Sequence, residues 1–237
     1  MSIKAVLFDL DGTLLPMDQD VFIKTYFGLL AKRLAFRGYE PKSLVDAIWQ
    51  GTAAMVKNDG SKTNEKVFWD SFATIYGEKA REDEPYFEEF YREEFDKVQA
   101  SCGYTPKAAE VIQAVKDSGL RAVLATNPIF PAIATQKRIA WAGLSPDDFE
   151  LYTTYENSRH SKPNPAYYLD ILEKIHLKPE ECLMVGNDVD EDMIAEAVGM
   201  KAFLLTDCLI NKHQRDISSH PHGGFDALIA FIKEIQV

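Results

Sequence analysis

The sequence predicts an α/β fold in which helices cover both faces of a parallel sheet and an all-helical insert interrupts the chain after the first strand. Two observations support this prediction. Downstream of residue 105, short apolar segments alternate with amphipathic helical segments, which is typical of parallel strands joined by right-handed crossovers. Upstream, residues 17–100 have helical periodicity without a strand pattern, although a strand-like apolar segment precedes them.

The first predicted strand lies within residues 3–15, which read IKAVLFDLDGTLL. Its short apolar run is typical of a fully buried strand. Asp9 and Asp11 follow this run, and their carboxylates can face one small volume because residues two apart in an extended chain point to the same side. Gly12 then permits a sharp turn. Such a pair suits a hard cation, and one carboxylate could attack phosphorus; an acidic turn without chemistry is the alternative.

Four helices are predicted in the insert, at residues 20–36, 42–57, 65–76 and 85–99. In the fourth, Pro85 occupies the first turn, and acidic residues lie near the start, where the helix dipole favours them. The many carboxylates of this helix indicate a solvated face rather than a metal site. Because the insert follows the first strand, we expect it at the C-terminal edge of the sheet, where open α/β folds bind ligands.

The elements after residue 105 are predicted to complete the sheet and its helical layers. Strands are expected at residues 121–126, 149–154, 182–186 and 202–205, and helices at 107–118, 131–142, 165–175, 190–198 and 225–235. The predicted domains are therefore an α/β core, formed by residues 1–16 and 101–237, and a helical cap domain at residues 17–100.

Polar side chains follow three of these later strands. Thr126 and Asn127 come after one strand, and Lys162 precedes a helix in the segment HSKPNP, where its ammonium could neutralise a phosphoryl oxygen. Asp188 follows another strand, and Asp192 lies one helical turn later on the same face. Each residue alone has an ordinary structural explanation as a turn former, a surface lysine or a helix N-terminal acid. Their agreement at successive strand ends indicates one site.

The composition restricts the classes of partner. The chain has 237 residues and a formal net charge of −11, which argues against a nucleic-acid partner because nucleic acids require a basic surface. A small phosphorylated substrate is compatible with this charge, since a bound cation can reverse the local sign. The three cysteines form no CxxC pair, and neither a secretory leader nor a membrane span is apparent. We therefore expect a cytoplasmic protein with no membrane partner.

Together these motifs resemble those of the haloacid dehalogenase (HAD) superfamily over nearly the whole chain. DLDGT at residues 9–13 resembles the first motif of that family, Thr126 the second and Lys162 the third, while Asp188 with Asp192 resembles the fourth. The helical insert is similar to the C1-type cap of the family. The resemblance implies a Rossmann-like parallel sheet in a three-layer α/β/α core, with the cap over its active edge.

The resemblance also implies a chemistry for the first and fourth motifs. Asp9 would attack phosphorus to form an aspartyl phosphate, and Asp11 would act as general acid and then general base. Mg²⁺ would be held by the Asp9 carboxylate, the Asp11 main-chain carbonyl and Asp188. Because halide-displacing members of the family lack an acid at the position of Asp11, its presence implies phosphate monoester chemistry.

The other motif residues would support this reaction. Thr126, Asn127 and Lys162 would bind the phosphoryl oxygens of the substrate. Asp192 would orient the neighbouring groups rather than ligate the metal directly. We also expect substrate contact from the polar loop at residues 58–63, with Lys62 as the candidate side chain; a solvent-exposed turn is the alternative.

The expected function is Mg²⁺-dependent hydrolysis of a small phosphorylated metabolite, similar to the reaction of the phosphoglycolate phosphatases. A phosphosugar mutase of the β-phosphoglucomutase type has the same core and the same type of cap, and a requirement for a hexose bisphosphate would distinguish it. A phospho-receiver signalling domain also combines carboxylates, a threonine and a lysine around a phosphorylated aspartate. In a receiver, however, the acceptor follows a later strand and no helical cap is present.

Overall fold

Strand β1 (Ala5–Phe8) lies between two parallel neighbours, β2 (Arg121–Leu124) and β3 (Cys182–Gly186), in a computed structural model of the chain. Strands β4 (Lys201–Leu205) and β5 (His222–Gly223) extend the sheet beyond β3 and give the order β2–β1–β3–β4–β5. The next strand in the chain, β2, pairs with one side of β1, and the following strand, β3, pairs with the other side. This reversal leaves a crevice at the C-terminal end of β1, where open parallel sheets bind ligands.

The structure describes residues 2–235, and eight α-helices are formed within that range. They are α1 (Gln19–Leu34), α2 (Pro41–Val56), α3 (Asn64–Tyr76), α4 (Glu78–Glu93), α5 (Lys107–Asp117), α6 (Ala132–Trp141), α7 (Pro165–Ile175) and α8 (Phe225–Glu234). Helices α1 to α4 occupy the chain between β1 and α5, as predicted. None of the helices in this range combines the length and the apolar character that crossing a membrane requires.

Alternate residues of β1 belong to opposite layers of the molecule. Val6 and Phe8 pack in a large apolar core with α5, α8 and the inserted helices, whereas Ala5 and Leu7 pack in a second core with α7. Successive side chains of a strand point to opposite faces, so the sheet is covered on both sides. The predicted α/β fold, with its Rossmann-like three-layer core, is confirmed.

Helix α4 begins at Glu78, earlier than the predicted start at Pro85, and the proline lies inside the helix. An internal proline costs stability because it removes one main-chain hydrogen bond. Here the preceding turn is stabilised by the buried carboxylate of Asp83, which accepts hydrogen bonds from Arg37 in the connection before α2 and from Lys79 of the same helix. The helix therefore continues through the proline.

The strand predicted at residues 149–154 is wrong in extent, since only Tyr152 forms a bridge, with Leu124 of β2. Glu150 and Thr153, on either side of it, also hydrogen-bond β2 through their main-chain N–H groups. The segment stays short because Asn157 bonds its main chain, accepting the Thr154 N–H and donating to the Tyr152 carbonyl.

The helix predicted at residues 190–198 is also wrong in type, because the structure has a 3₁₀ helix at Met193–Val198. The carboxylate of Asp188 accepts hydrogen bonds from the N–H groups of Asp190 and Glu191. Beyond this side-chain cap the main-chain hydrogen bonds span three residues, as from the Ala195 N–H to the Asp192 carbonyl, which is the pattern of a 3₁₀ helix.

The two connections between the sheet and the helical segment lie side by side. The Gly103 N–H donates to the Pro16 carbonyl at 2.7 Å, and Met17 and Cys102 form an antiparallel bridge. The predicted division into core and cap remains a proposal, and this hydrogen-bonded pair lies at both of its boundaries.

Asn64, at the start of α3, hydrogen-bonds two loops that follow strands of the sheet. It is fully buried, and its Nδ2 lies 3.1 Å from the Pro128 carbonyl and 3.0 Å from Ser161 Oγ. Its Oδ1 accepts a hydrogen bond from Asn58 Nδ2 at 2.8 Å. These polar contacts satisfy a buried amide and bring α3 next to the segment that carries Lys162.

Candidate active site

A cavity of about 980 Å³ lies between the inserted helices and the C-terminal ends of three strands. The predicted site residues that line it are Asp9, Asp11, Thr126, Asn127, Asp188 and Asp192. They follow β1, β2 and β3, whose ends meet at the crevice. Lys162, the remaining predicted residue, is buried and reaches the same place through its contact with Asp9.

Lys162 pairs with two carboxylates at once. Its Nζ lies 2.8 Å from Asp9 Oδ1 and 2.6 Å from Asp192 Oδ1. Burial alone would lower the pKa of Lys162, but the charges of Asp192 and Asp9 raise it well above its ordinary value. The ammonium therefore stays charged beside the Asp9 carboxylate. Asn164 caps α7 by accepting the Ala166 N–H, and this fixes the approach of the lysine.

The second oxygen of Asp9 has a neutral partner. Thr13 Oγ1 lies 3.1 Å from Asp9 Oδ2 and 3.0 Å from Asn187 Oδ1, so its single proton can be donated to one of them at a time. Asn187 in turn donates to the Cys208 carbonyl at 2.7 Å, which fixes the orientation of its amide. Both carboxylate oxygens of Asp9 therefore have partners, Lys162 and Thr13, that fix the orientation of the side chain in the cavity.

Asp11 contacts a residue that the motif analysis did not include. Arg138 of α6 is fully buried, lies over the ring of Phe130 and donates to Asp11 Oδ2. The other oxygen, Oδ1, is buried without a hydrogen-bond partner among the described residues. Burial raises the pKa of Asp11, Arg138 opposes this effect, and Asp9 adds to it. A carboxyl group with a raised pKa can hold the proton that an acid catalyst delivers.

Thr126 and Asn127 present groups of different availability. The Thr126 carbonyl accepts hydrogen bonds from the hydroxyls of Thr153 and Tyr167, at 2.6 and 2.8 Å, which fixes the turn after β2. The Asn127 Nδ2 donates to Glu191 at 3.1 Å, which uses one of its two N–H groups. Both residues line the cavity, where the Thr126 hydroxyl makes no side-chain hydrogen bond within residues 2–235.

Asp192 connects the lysine to Asp188. Its Oδ2 accepts the Asp188 N–H at 2.9 Å, while its Oδ1 accepts from Lys162. Burial raises the pKa of Asp192, and the charge of Lys162 opposes this shift. Gly186 is required beside it, because a Cβ there would lie 2.1 Å from the Asp192 carboxylate. This arrangement agrees with a positioning role for Asp192.

The oxygen atoms at this end of the cavity fit a small hard cation. Asp9 and Asp188 contribute carboxylates to the same cavity end, and the Asp11 main-chain carbonyl accepts no hydrogen bond within the described range. No group of three His, Cys, Asp or Glu side chains in residues 2–235 has metal-binding geometry. A two-carboxylate set with one carbonyl suits Mg²⁺, which keeps several waters and needs few protein ligands.

Among the polar residues that line the cavity and were not singled out as site residues from the sequence are Asn187, Glu191 and Lys212. Asn187 and Glu191 lie within the segment GNDVDED, so their closeness in sequence to Asp188 could have identified them as site residues. Lys62, the expected side chain for substrate contact, lies outside the cavity, and its Nζ pairs with Asp70 at 2.9 Å.

Comparison with known proteins places these features in a wider context. A family model described as "Hydrolase: haloacid dehalogenase-like hydrolase" matches residues 3–199. The phosphoglycolate phosphatase of Aquifex aeolicus (strain VF5) is 27% identical over 192 residues, which are 81% of this chain and 79% of that protein. YhcW of Bacillus subtilis (strain 168) is 31% identical over 114 residues, which are 48% of this chain and 50% of that protein.

A solved structure gives the same picture of the fold. The 2-haloacid dehalogenase from Pseudomonas syringae pv. Tomato DC3000 superposes with a TM-score of 0.66 at 19% identity, covering 98% of this chain and 99% of that one. At this identity the similarity concerns the fold alone.

Proposed function

The chain belongs to the haloacid dehalogenase-like hydrolases, and on that premise we propose that it hydrolyses a small-molecule phosphate monoester through an aspartyl phosphate at Asp9, with Mg²⁺ as cofactor. The relative named phosphoglycolate phosphatase supports phosphate as the group that is transferred. The observation that carries the proposal is the placement of Asp9, which Lys162 and Thr13 hold at the end of a cavity that Asp11 also lines.

The presence of Asp11 favours a phosphate ester over a halide. An alkoxide leaving group needs a proton as its bond to phosphorus breaks, whereas a halide ion needs none. Asp11 is the carboxyl group nearest in sequence to Asp9, lines the same cavity and has a raised pKa. It is therefore the acid of the proposed reaction.

The reaction has two steps. First, an Asp9 oxygen bonds to phosphorus, the bond from phosphorus to the leaving oxygen breaks, and Asp11 donates a proton to that oxygen. Second, Asp11 takes a proton from water, whose oxygen bonds to phosphorus as the bond to Asp9 breaks. Thr126 and Lys162 bind and neutralise the phosphoryl oxygens throughout. When bound by Asp9, Asp188 and the Asp11 carbonyl, Mg²⁺ supplies further charge neutralisation.

The helical segment at residues 17–100 is proposed as a cap that encloses the leaving group. The motif residues follow strands of the sheet, while α1 to α3 contribute much of the opposite wall of the cavity. Closure over the site would exclude bulk water from the aspartyl phosphate until the leaving group departs. We also propose that the reaction takes place in the cytoplasm, because its proposed substrate is a small phosphorylated metabolite.

Two measurements test the proposed function. The purified protein is screened for phosphate release from a panel of phosphorylated metabolites, with hexose bisphosphate added in a parallel series to detect mutase activity. Acid quenching followed by borohydride reduction then converts an aspartyl phosphate to homoserine, which peptide mass mapping should locate at position 9. Turnover without a modified position 9 would contradict the covalent mechanism, and absence of phosphate release would contradict the function.

A further inference from the structure

Much of the cavity wall is aromatic. Phe22, Phe27, Trp49, Phe68, Phe130 and Tyr155 contribute to it. Phe22 and Phe130 meet edge to face at 6.2 Å between ring centroids, and Phe27 and Trp49 do so at 5.5 Å. Although it lines the cavity, Trp49 remains 46% exposed, which is unusual for so large an apolar side chain. Aromatic rings in such a wall favour the faces and edges of another ring system.

The cavity is much larger than a two-carbon leaving group requires. Its volume of about 980 Å³ lies at the upper end of the range for small-molecule sites. The phosphoryl end and the aromatic wall belong to this one cavity, so a substrate with its phosphate at Asp9 extends towards the rings. A small acid would leave that apolar surface uncovered.

The charges near the aromatic wall disfavour an anionic leaving group. Glu65 and Glu156 both line the cavity and are half-buried. Burial raises the pKa of Glu65, and the charge of Glu156 raises it further. Glu156 accepts hydrogen bonds from the Ala132 N–H, at 2.8 and 3.1 Å, but neither carboxylate has a salt bridge with a basic side chain in the described part of the chain.

The basic side chains of the cavity do not offset these carboxylates. Lys24, Arg92 and Lys212 line the cavity but are exposed to solvent, which screens their charge. The buried cations, Arg138 and Lys162, are already paired with the carboxylates of the catalytic end. A carboxylate on the leaving group would therefore meet like charge in a poorly solvated place.

We propose that the leaving group of the substrate is a bulky planar aromatic group that carries no negative charge and presents a hydrogen-bond donor or a positive charge to Glu65 and Glu156. This inference rests on the proposed phosphatase function and specifies the substrate class of the same site. It separates this chain from an enzyme for phosphoglycolate, whose leaving group is small and anionic.

A set of phosphate esters with similar leaving-group chemistry tests the proposal. We compare kcat/KM for methyl phosphate, benzyl phosphate, 2-naphthylmethyl phosphate and phosphoglycolate, and for benzyl phosphates with a 4-aminomethyl or a 4-carboxy substituent. The substituents lie away from the scissile bond, so they change charge more than reactivity. We expect 2-naphthylmethyl phosphate to exceed methyl phosphate by about a hundredfold, and the aminomethyl ester to exceed the carboxy ester by at least about tenfold.

Two variants assign these preferences to the cavity wall. Trp49→Ala should lower kcat/KM for 2-naphthylmethyl phosphate about tenfold more than it lowers that for methyl phosphate, whereas the control Phe36→Ala removes an aromatic ring that is 64% exposed and lies outside the cavity. Glu65→Gln should reduce the ratio between aminomethyl and carboxy esters several-fold. Its control, Glu78→Gln, removes the same charge from an exposed position outside the cavity.

The outcomes separate this proposal from the function on which it rests. Efficient hydrolysis of phosphoglycolate or the carboxy ester over the neutral aromatic esters would overturn the aromatic, non-anionic class while leaving the phosphatase function intact. Equal effects of each variant and its control would also overturn it. If none of the esters releases phosphate but a member of the metabolite panel does, this inference fails and the proposed function stands. If neither set releases phosphate, both fail.

Discussion

The guanidinium of Arg138 donates a hydrogen bond to the Asp11 carboxylate across 127 residues of sequence. The arginine also stacks over Phe130, with its guanidinium carbon 4.4 Å from the ring centroid, and its Nε lies 3.3 Å from the Ala134 carbonyl. A fully buried, multiply bonded guanidinium has few alternative positions. Arg138 therefore fixes the direction of one oxygen of Asp11.

Arg138→Met should lower kcat by about tenfold to a hundredfold with a smaller change in KM, because Asp11 loses the partner that positions it. Arg138→Lys should recover part of the loss by restoring a cation. The control, Lys137→Met, removes a neighbouring cation that pairs with Asp96. Steady-state kinetics on one good substrate measure the effect, and equal losses for the Met and Lys variants of Arg138 would exclude a positioning role for its charge.

Asp9→Asn should reduce turnover by about a thousandfold or more, because the amide is a far weaker nucleophile than the carboxylate. The same shape should preserve the fold, so thermal unfolding of the variant is expected to stay cooperative. Asp46→Asn, at an exposed position on α2, serves as the control for loss of one carboxylate. Phosphate release close to the wild-type rate in Asp9→Asn would rule out the proposed nucleophile.

Removal of divalent metal should abolish activity, and Mg²⁺ should restore it. The site offers two carboxylates and one carbonyl in the described residues, which suits an octahedral ion better than Ca²⁺, an ion that takes more ligands at longer distances. Asp188→Asn should raise the Mg²⁺ concentration for half-maximal activity more than Asp192→Asn does. Full activity after exhaustive chelation would contradict the cofactor, and the reverse order of the two variants would exchange their roles.

Lys162→Met should lower the free energy of unfolding by about 3–5 kcal/mol, because it leaves the Asp9 and Asp192 carboxylates buried without their shared cation. Adding Asp192→Asn should recover part of this loss by removing one of the two like charges. Urea unfolding of the single and double variants measures the coupling. Additive losses would show that the three side chains do not act as a unit.

Asp83→Asn should lower the free energy of unfolding by about 2 kcal/mol at neutral pH, because the buried carboxylate accepts hydrogen bonds from charged donors. Burial by itself raises the pKa of Asp83, but the bonds from Lys79 and Arg37 lower it overall. Since the folded pKa is depressed, the stabilisation is present above the ordinary value of about 3.9 and is lost as pH falls through the folded pKa.

The measurement is urea unfolding of wild type and Asp83→Asn between neutral pH and about pH 3, the range in which a carboxyl group of this kind titrates. The difference between the two proteins should shrink at the acid end. Asp46→Asn, whose carboxylate pairs with Lys42 at the surface, should show little difference at any pH. A difference for Asp83→Asn that stays constant with pH would contradict the charged state assigned to it.

The strand-end residues could be predicted because topology and sequence agree on their place. Parallel strands bring their C-terminal ends to one edge, so Asp9, Thr126 and Asp188 were expected to meet, and the cavity contains them all. Lys162 was predicted from its position just before a helix in the segment HSKPNP, which follows a predicted strand. These residues depend on local patterns that a single sequence displays.

The remaining features depend on tertiary packing. In the sequence, Arg138 resembles Lys137 beside it, since both are basic residues of one helix. Only the fold shows that Arg138 is buried against Asp11. Glu65 and Glu156 lie in a helix and a loop where charged residues are usually solvated. Their meeting in one cavity follows from the way the inserted helices dock, which hydrophobic periodicity does not specify.

The hydrogen bond between Gly103 and Pro16 has a practical consequence for protein engineering. Because the chain leaves the sheet and returns to it at adjacent points, the proposed cap at residues 17–100 has closely spaced ends. Insertions with such ends can be exchanged with little entropic penalty for closing the loop. A chimaera that joins a different helical cassette at these two positions should therefore retain the sheet and its carboxylate chemistry while acquiring a new choice of leaving group.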